Sequence, residues 1–339
     1  FYKMQNTDDY ETDNLYRNDG STFTRVTEEA GLRTYGLTLS ATIGDLNNDS
    51  YPDIYISNDF SSPDFMYMNN GDGTFSDVVK ETTNQTSFYG MGVDIADFNN
   101  DSYLDYIQVD MDAKDNRRSK ANMASMNPDL FWSTVNYGFH YQYMHNTLQL
   151  NRRIQGDKPF FSNISRLSGI SSTDWSWGPL LADLDNDGWK DLFISNGIRR
   201  EINHRDFFND IKLRPMSSDS LLYYTEQMPS EAIANFTFQN NSDLTFTDVS
   251  ESWGLDQKNF SNGATYADLD NDGDLELIVN NVDQEAQIYR NNSTNNFIKV
   301  KLKGSDQNLI GIDSRVFVKT PNNSQMQELT LSRGFQSSV

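Results

Sequence analysis

Cysteine is absent from the 339 residues, so the chain has neither a disulfide framework nor thiol chemistry. No run of 18 apolar residues occurs, which excludes a membrane-spanning helix of ordinary length in this sequence. Histidine is scarce, with three residues, and neither a Gly-rich phosphate loop nor a His-Glu-x-x-His pattern is present. The sequence opens with Phe1 instead of Met and shows no signal peptide, so we expect a fragment or a processed product.

Positive charge is also scarce. There are 49 acidic residues against 27 basic ones, and the formal net charge is −22 at pH 7. A surface this negative disfavours nucleic acids and anionic membranes as partners, because both carry the same sign of charge.

What the sequence does contain is a nine-residue acidic loop that occurs four times. Carboxylate or amide side chains stand at positions 1, 3, 5 and 9, and position 7 can add a backbone carbonyl. Hard oxygen ligands at alternate positions suit Ca²⁺, which takes 6–8 oxygens. We therefore predict Ca²⁺ as the cofactor. The predicted ligands are Asp45, Asn47, Asp49, Tyr51 and Asp53 in loop 1; Asp97, Asn99, Asp101, Tyr103 and Asp105 in loop 2; Asp183, Asp185, Asp187, Trp189 and Asp191 in loop 3; and Asp268, Asp270, Asp272, Asp274 and Glu276 in loop 4.

The alternative for each loop is an Asx-rich surface turn without metal, but four copies in register favour a metal site. Position 12 is never acidic, and each loop runs into a β-prone stretch, so the sequence predicts loop–strand units and not EF-hands. Position 6 is expected to need a positive φ, which suits Gly188 and Gly273. Ser50 and Ser102 stand there in loops 1 and 2, which also carry one charge fewer, so we predict weaker calcium binding in those two loops. Loops of this kind bind calcium weakly, which favours an extracytoplasmic location.

A longer repeat surrounds each loop. A strand that ends in Asn, a turn, and a second strand precede the next loop, so that each unit holds four short strands, the make-up of a propeller blade. The loops begin at residues 45, 97, 183 and 268. The first spacing is about one blade, and the later two each leave room for an insertion of roughly 35 residues. We place these insertions at about 111–144 and 198–234; in the second, residues 203–211 and 218–227 are expected to be helical, with Pro215 and Pro229 as breakers.

Two readings of other residues stay open. Trp175 and Trp177 are two apart and share a face of a strand, where they could stack on a sugar ring or pack between blades. The loop carboxylates could act as the acid and nucleophile of a glycosidase, although their repeated spacing favours metal ligation.

The repeats resemble FG-GAP/VCBS-type β-propeller repeats, the class found in integrin α-chains and in cartilage-acidic-protein-like bacterial proteins. Residues 140–151, 173–179 and 196–200 are similar to large surface proteins of Bacteroidota. Residues 310–316 and 334–337 resemble the start of an ASPIC/UnbV domain. The resemblance implies propeller blades over 1–300 and an ASPIC/UnbV-like β domain from 301 to 339. It also implies seven blades in the complete protein, of which about four to five are present here. The implied location is the cell surface or the secreted fraction, often with a lipid anchor. The family is better defined by fold than by activity.

The expectation is thus an all-β chain, a β-propeller of four-stranded blades with two partly helical insertions. The function hypothesis is a non-catalytic, calcium-stabilised propeller at the cell surface that binds a protein or a glycan, with an outer-membrane assembly as one setting. The alternative is a polysaccharide-acting hydrolase or lyase on the same scaffold.

Overall fold

The computed structural model describes residues 13–32, 36–60, 62–123, 126–155, 158–214, 218–305, 308–321, 323–335 and 337–338. Over these residues the chain is an all-β protein with a four-blade β-propeller arrangement, as the sequence predicts. The described helices are short, and none is both long enough and apolar enough to cross a membrane.

The strands of the first half are, in chain order, β1 (Tyr16–Asn18), β2 (Phe23–Arg25), β3 (Leu37–Gly44), β4 (Asp53–Asp59), β5 (Phe65–Asn69), β6 (Phe75–Asp77), β7 (Thr86–Ser87), β8 (Val93–Ala96), β9 (Asp105–Gln108), β10 (Met111–Asp112), β11 (Gln142–Tyr143), β12 (Thr147–Gln155) and β13 (Lys158–Asn163). Those of the second half are β14 (Asp174–Ala182), β15 (Asp191–Asn196), β16 (Ile233–Ala234), β17 (Phe236–Asn240), β18 (Phe246–Asp248), β19 (Lys258–Asn259), β20 (Ser261–Ala267), β21 (Glu276–Asn281), β22 (Gln287–Tyr289), β23 (Arg315–Lys319), β24 (Ser324–Glu328), β25 (Ser332–Arg333) and β26 (Ser337–Ser338). The helices are α1 (Val79–Thr82), α2 (Asn116–Ala121), α3 (Pro128–Asn136), α4 (Arg205–Lys212) and α5 (Ser218–Glu226).

Three blades have four antiparallel strands each and the fourth has three. Blade 1 is β3-β4-β5-β6, blade 2 is β8-β9-β12-β13, blade 3 is β14-β15-β17-β18 with β10 added beside β14, and blade 4 is β20-β21-β22. The β1-β2 hairpin before blade 1 matches the outer two strands of a blade. In every blade the acidic loop joins the first strand to the second, so a strand and not a helix follows each loop, as predicted.

Apolar side chains pack between consecutive blades. Tyr55 of blade 1 and Tyr106 of blade 2 are fully buried with ring centroids 4.5 Å apart. A second cluster joins blades 2 and 3, and a third joins blade 3 to blade 4. Because blades 2 and 3 each have a neighbour on both faces, their second strands lose the in-and-out alternation of an exposed sheet; β15 is buried at every residue.

The two insertions both follow the second strand of a blade, and they therefore leave from the end opposite the acidic loops. The helices expected at 203–211 and 218–227 are α4 and α5, while Pro215 lies outside the described residues. The first insertion holds α2 and α3. Arg118 of α2 is buried and joins the insertions to blade 3, since its guanidinium lies 2.8 Å from an oxygen of Asp174 and 2.7 Å from one of Glu201.

The C-terminal residues cross from the loop side of the propeller to its centre. The β23-β24 hairpin lies on the loops, and β25 then contacts the first strands of blades 1, 2 and 3. Gly334 exchanges two backbone hydrogen bonds with Val93, at 2.9 and 3.2 Å, and the neighbouring Arg333 lies 3.4 Å from buried Asp94. The boundary near residue 300 and the seven-blade count stay predictions.

Candidate metal centres

The carboxylate at position 1 shapes the turn of each of the first three loops. In loop 1, Asp45 accepts hydrogen bonds from the backbone N–H of Asp49 at 3.0 Å and of Ser50 at 2.8 Å. Asp97 and Asp183 accept the same pair of bonds in loops 2 and 3, at 2.9 to 3.0 Å. The position 5 carboxylate then accepts from the amide of position 7, at 2.8 Å in loops 1 and 3. The alternating acids thus fold the backbone around their own oxygens.

Position 6 adopts a positive φ in all four loops, as predicted. The angle is 71° at Ser50 and Ser102, 94° at Gly188 and 97° at Gly273. A left-handed conformation costs an L-residue roughly 1–2 kcal/mol and costs glycine almost nothing. Loops 1 and 2 therefore carry strain that loops 3 and 4 lack.

The carboxylate at position 9 is buried and links two backbone segments by hydrogen bonds. Asp53 and Asp191 are fully buried, and both oxygens of each accept backbone N–H groups. Asp191, for example, accepts from Leu184 and from Asn240, each at 3.0 Å. Burial raises the pKa of Asp53 to about 7 and that of Asp191 to about 8, and the neighbouring loop carboxylates add to both shifts. A nearby cation would remove the cost of keeping these groups ionised.

One Asn in or just after the third strand of each blade bonds the loop of its own blade, and in blades 2, 3 and 4 it also bonds the preceding loop. The side-chain amide of Asn240 donates to the carbonyl of Lys190, at position 8 of its own loop, at 3.0 Å. It also donates to the carbonyl of Phe98, at position 2 of the preceding loop, at 2.9 Å. Asn151 and Asn291 make the equivalent pair of bonds, and Asn69 bonds the carbonyl at position 8 of loop 1. We call these four residues the staple asparagines.

A second set of asparagines links the loops from position 4. Asn48 donates to the carbonyl at position 6 of loop 2 at 3.3 Å, Asn100 to that of loop 3 at 2.8 Å, and Asn186 to that of loop 4 at 3.2 Å. Each has a positive φ, a conformation that Asn tolerates better than most residues. The four loops consequently form one hydrogen-bonded arc on a single face. Position 4 was missed as a functional position, although Asn stands there in every copy.

Carboxylates converge most closely in loops 3 and 4. Ligand oxygens of Asp183, Asp185 and Asp191 lie within 4.8 Å of one another, and so do those of the acids at positions 3, 5, 7 and 9 of loop 4. Asp274 is 2% exposed, and neither of its oxygens has a hydrogen-bond partner among the described residues. Buried, unsatisfied carboxylate oxygens of this kind fit a hard divalent cation.

Loop 1 differs, because Asn47 turns its side-chain N–H toward Asp49, at 2.8 Å. At position 3, Asp185 and Asp270 therefore lie within carboxylate clusters in loops 3 and 4, whereas Asn47 in loop 1 donates a hydrogen bond to the position 5 carboxylate.

The protein's own cations also reach the loops. Arg315 of β23 lies 3.3 Å from Asp45, and Lys190 donates to the carbonyl of Asp97 at 3.1 Å. In loop 4, Lys299 lies 2.7 Å from Asp268, and Arg290 lies 2.9 Å from Asp270. The Lys299 ammonium holds the pKa of Asp268 below its usual value.

The tryptophans do not form an open platform. Trp175 is 4% exposed and belongs to the cluster between blades 2 and 3. Trp177 donates from its ring nitrogen to the carbonyl of Gly197 at 2.6 Å, and its ring packs on Phe335 with centroids 5.0 Å apart. A sugar-stacking role does not fit Trp175, whose ring is enclosed; packing between blades, the other reading of the sequence, describes its position.

Comparison with known proteins agrees with this geometry. The model of the FG-GAP-like repeat family matches residues 6–56 and 51–107, which hold loops 1 and 2. This chain carries FG-GAP-like repeats. It is similar to cartilage acidic protein 1 from Xenopus tropicalis, with 24% identity over 200 residues, 51% of this chain and 31% of that protein. The Homo sapiens protein of the same name is 25% identical over 202 residues, 51% of this chain and 30% of that protein. The chain thus spans less than a third of the length of these relatives.

Proposed function

We propose that this chain is a non-catalytic propeller scaffold, stabilised by calcium in its acidic loops, that works outside the cytoplasm and binds a protein or a glycan at the cell surface. The observation that carries the proposal is the arc of four loops, joined by the staple asparagines, in which buried carboxylates converge.

The carboxylate clusters of loops 3 and 4 support the calcium sites. Asp183, Asp185 and Asp191 would hold the ion in loop 3; in loop 4 the ligands would be Asp270, Asp272, Asp274 and Glu276. Bound calcium supplies positive charge to carboxylates that burial otherwise penalises. An ion that binds the folded chain and not the unfolded chain stabilises the fold by about 2.7 kcal/mol per site when its free concentration is about 100 times Kd.

The same loop carboxylates give no support to a polysaccharide-cleaving enzyme. Both oxygens of Asp191 accept backbone amides, and Asp183 is held in the same way. Groups fixed by backbone donors suit ligation better than proton transfer.

The location outside the cytoplasm rests on weak calcium sites, which fill at extracellular calcium levels. The relatives are named as acidic proteins of cartilage, which agrees with such a setting. The partner surface is proposed on the insertions, at the end of the propeller away from the loops. Trp132 and Tyr137, exposed by 57% and 62%, lie in the first insertion, and exposed aromatic rings are common anchors for partners.

The metal role is tested by titration calorimetry with calcium and by thermal melting with and without a chelator. We expect calcium to raise Tm, and the double variant Asp272→Asn/Asp274→Asn to lose most of the increase that loop 4 provides. Asp243→Asn is the matched control, since Asp243 is an exposed turn residue outside the loops that accepts from Thr245. A Tm indifferent to the chelator would refute calcium stabilisation.

The non-catalytic role is tested by incubation with polysaccharides. Release of reducing ends that is lost on mutating one carboxylate outside the loops would show an enzyme instead of a binding scaffold.

A further inference from the structure

Blade 4 lacks the outer strand that completes the other three blades. Its third strand, β22, pairs with β21 through Leu277 opposite Tyr289. Within the part of the chain that the structure describes, no strand pairs with the other edge of β22. An unpaired edge on a blade is an open place for a further strand.

The repeat itself identifies the residues that belong there. In each complete outer hairpin, one Asn of the inner strand faces a Phe of the outer strand: these pairs are Asn18 with Phe23, Asn69 with Phe75, Asn151 with Phe161, and Asn240 with Phe246. In blades 1 and 3 the Phe follows the Asn by six residues, and Phe297 follows Asn291 by the same spacing.

The turn that leads to the fourth strand also begins after Asn291. Its side-chain oxygen accepts the backbone N–H of Ser293 at 3.1 Å, as Asn240 accepts that of Ser242 at 2.9 Å. The chain then departs from the repeat, and residues 297–300 lie over loop 4.

A cavity marks where the missing Phe would pack. In blade 3, Phe246 packs on Phe98, which stands at position 2 of the preceding loop, with ring centroids 5.9 Å apart. In blade 2, Phe161 shares a core cluster with Leu46, position 2 of loop 1. The equivalent residue for blade 4 is Leu184, and it lines a cavity of about 610 Å³ beside β22, together with Trp253, Leu255, Leu277, Ile288 and Tyr289.

Two contacts keep residues 297–300 away from that cavity. The ring of Phe297 covers Gly273, where an added Cβ would come within 2.1 Å of it. Lys299 holds Asp268 at 2.7 Å and the side chain of Asn271 at 3.3 Å. In this position Phe297, Ile298 and Val300 stay 50%, 70% and 50% exposed. The apolar side chains of residues 297–300 are therefore left largely exposed, while Lys299 is a counter-ion of loop 4.

We propose that residues 297–300 are the fourth strand of blade 4, displaced by the ion pair between Lys299 and Asp268. A divalent ion held by the loop 4 cluster that also takes Asp268, the position 1 ligand predicted from the sequence, competes with Lys299 for this carboxylate. It thereby frees the segment to pair with β22 and to place Phe297 in the cavity. This coupling rests on the proposed calcium function, whereas the strand pairing does not.

Cysteine cross-linking tests the pairing, since the chain has no native cysteine. The register that sets Phe297 opposite Asn291 also sets Val300 opposite Ile288, and both are at least half exposed. The variant Ile288→Cys/Val300→Cys is compared with Arg17→Cys/Thr24→Cys, a pair that faces across β1 and β2. Disulfide formation is measured with chelator and with millimolar calcium, with and without Lys299→Ala; Lys301→Ala on the same segment is the matched control.

We expect calcium to raise the rate of Ile288→Cys/Val300→Cys cross-linking, and Lys299→Ala to raise it about two- to fivefold in chelator, as the loss of one partly exposed ion pair allows. Lys301→Ala should leave the rate unchanged. If neither calcium nor Lys299→Ala raises the rate while the control pair forms its disulfide, the strand inference is wrong. Titration calorimetry with calcium, run in parallel, separates the strand pairing from the calcium coupling. If no calcium binds, the proposed calcium function and the coupling are both wrong. The effect of Lys299→Ala on cross-linking in chelator then still tests the strand pairing.

Discussion

Asn240→Ala removes the staple between loops 2 and 3 without touching a carboxylate. The side chain is 5% exposed, and its amide donates to the carbonyls of Phe98 and Lys190 at 2.9 and 3.0 Å. Its oxygen also accepts the backbone N–H of Ser242 at 2.9 Å. The variant leaves two buried carbonyls without these donors and loosens the turn into β18.

A buried polar group left unsatisfied costs about 1–3 kcal/mol. For two carbonyls and a turn bond, partly compensated by relaxation, we expect Asn240→Ala to lower the free energy of unfolding by about 2–4 kcal/mol. Asn69→Ala should cost about half as much, because its amide has one carbonyl partner, that of Pro52 at 3.1 Å. Asn241→Ala is the control: Asn241 is exposed, its bonds are to Thr245 and Thr247, and the expected loss is below about 0.5 kcal/mol.

The assay is urea unfolding followed by tryptophan fluorescence, at a fixed calcium concentration and again in chelator. The slope of the free energy against urea should not change, since the variants do not alter the surface exposed on unfolding. A loss for Asn240→Ala no larger than that for Asn241→Ala would refute the view that these asparagines hold the loops together.

Three further predictions address strain, pH and metal. Ser102→Gly should raise the free energy of unfolding by about 1 kcal/mol, because φ is 71° there. Ser76→Gly in β6 is the control and should lower the free energy of unfolding. If both variants lose the same stability in urea unfolding, position 6 is not strained. Burial lowers the pKa of His145 to about 4, and its Nε2 faces amide nitrogens of Gln85 and Asn163 at 3.2 and 3.1 Å. The stabilisation that depends on neutral His145 is therefore complete above pH 6.5. As the pH drops toward 4, the free energy of unfolding should fall by about 2 kcal/mol, after a discount for solvent screening. Denaturation at several pH values measures this fall, and His145→Gln should make the pH dependence smaller. Asp183→Ala should lose more calcium affinity in calorimetry than Asp45→Ala, since three carboxylates converge in loop 3 and Asn47 interrupts loop 1; equal losses would contradict this ranking.

The elements that the sequence predicts well are those that repeat. The loop followed by a strand and the positive φ at position 6 recur in every blade, so each copy checks the others. The predicted strand end at Asn is correct for β5 and β17, whereas β12 continues past Asn151 to Gln155 and β22 ends before Asn291. Helices α4 and α5 were also predicted, because each is a helix-compatible stretch followed by a proline, Pro215 or Pro229, and such a signal is local in the sequence. The first insertion was also predicted to be partly helical, but α3 was not located within it, although Asn127 before Pro128 is a visible start signal and both its cap bonds are present.

Contacts between distant residues could not be predicted from the pattern. Arg118 meets Asp174, Glu201 and Glu231, which lie between 56 and 113 residues away in the sequence. The bridge between Val93 and Gly334 depends in the same way on how the blades close around the C-terminal residues. Single-sequence periodicity holds no information about such pairs, because at least one partner of each pair lies outside the repeat.

The repeat chemistry explains why metal binding and blade packing should depend on each other. The backbone N–H of Asn240 donates to the position 9 carboxylate of loop 3, while its side chain reaches the carbonyl at position 2 of loop 2. An ion that fixes Asp191 therefore fixes the residue that joins blade 3 to blade 2. In loop 4, Asn291 connects Glu276 to the carbonyl of Leu184 by the same pair of contacts. If calcium binds as proposed, a metal at one loop stabilises the interface with the preceding blade and not the loop alone, so mutations at one site should change the unfolding of its neighbour.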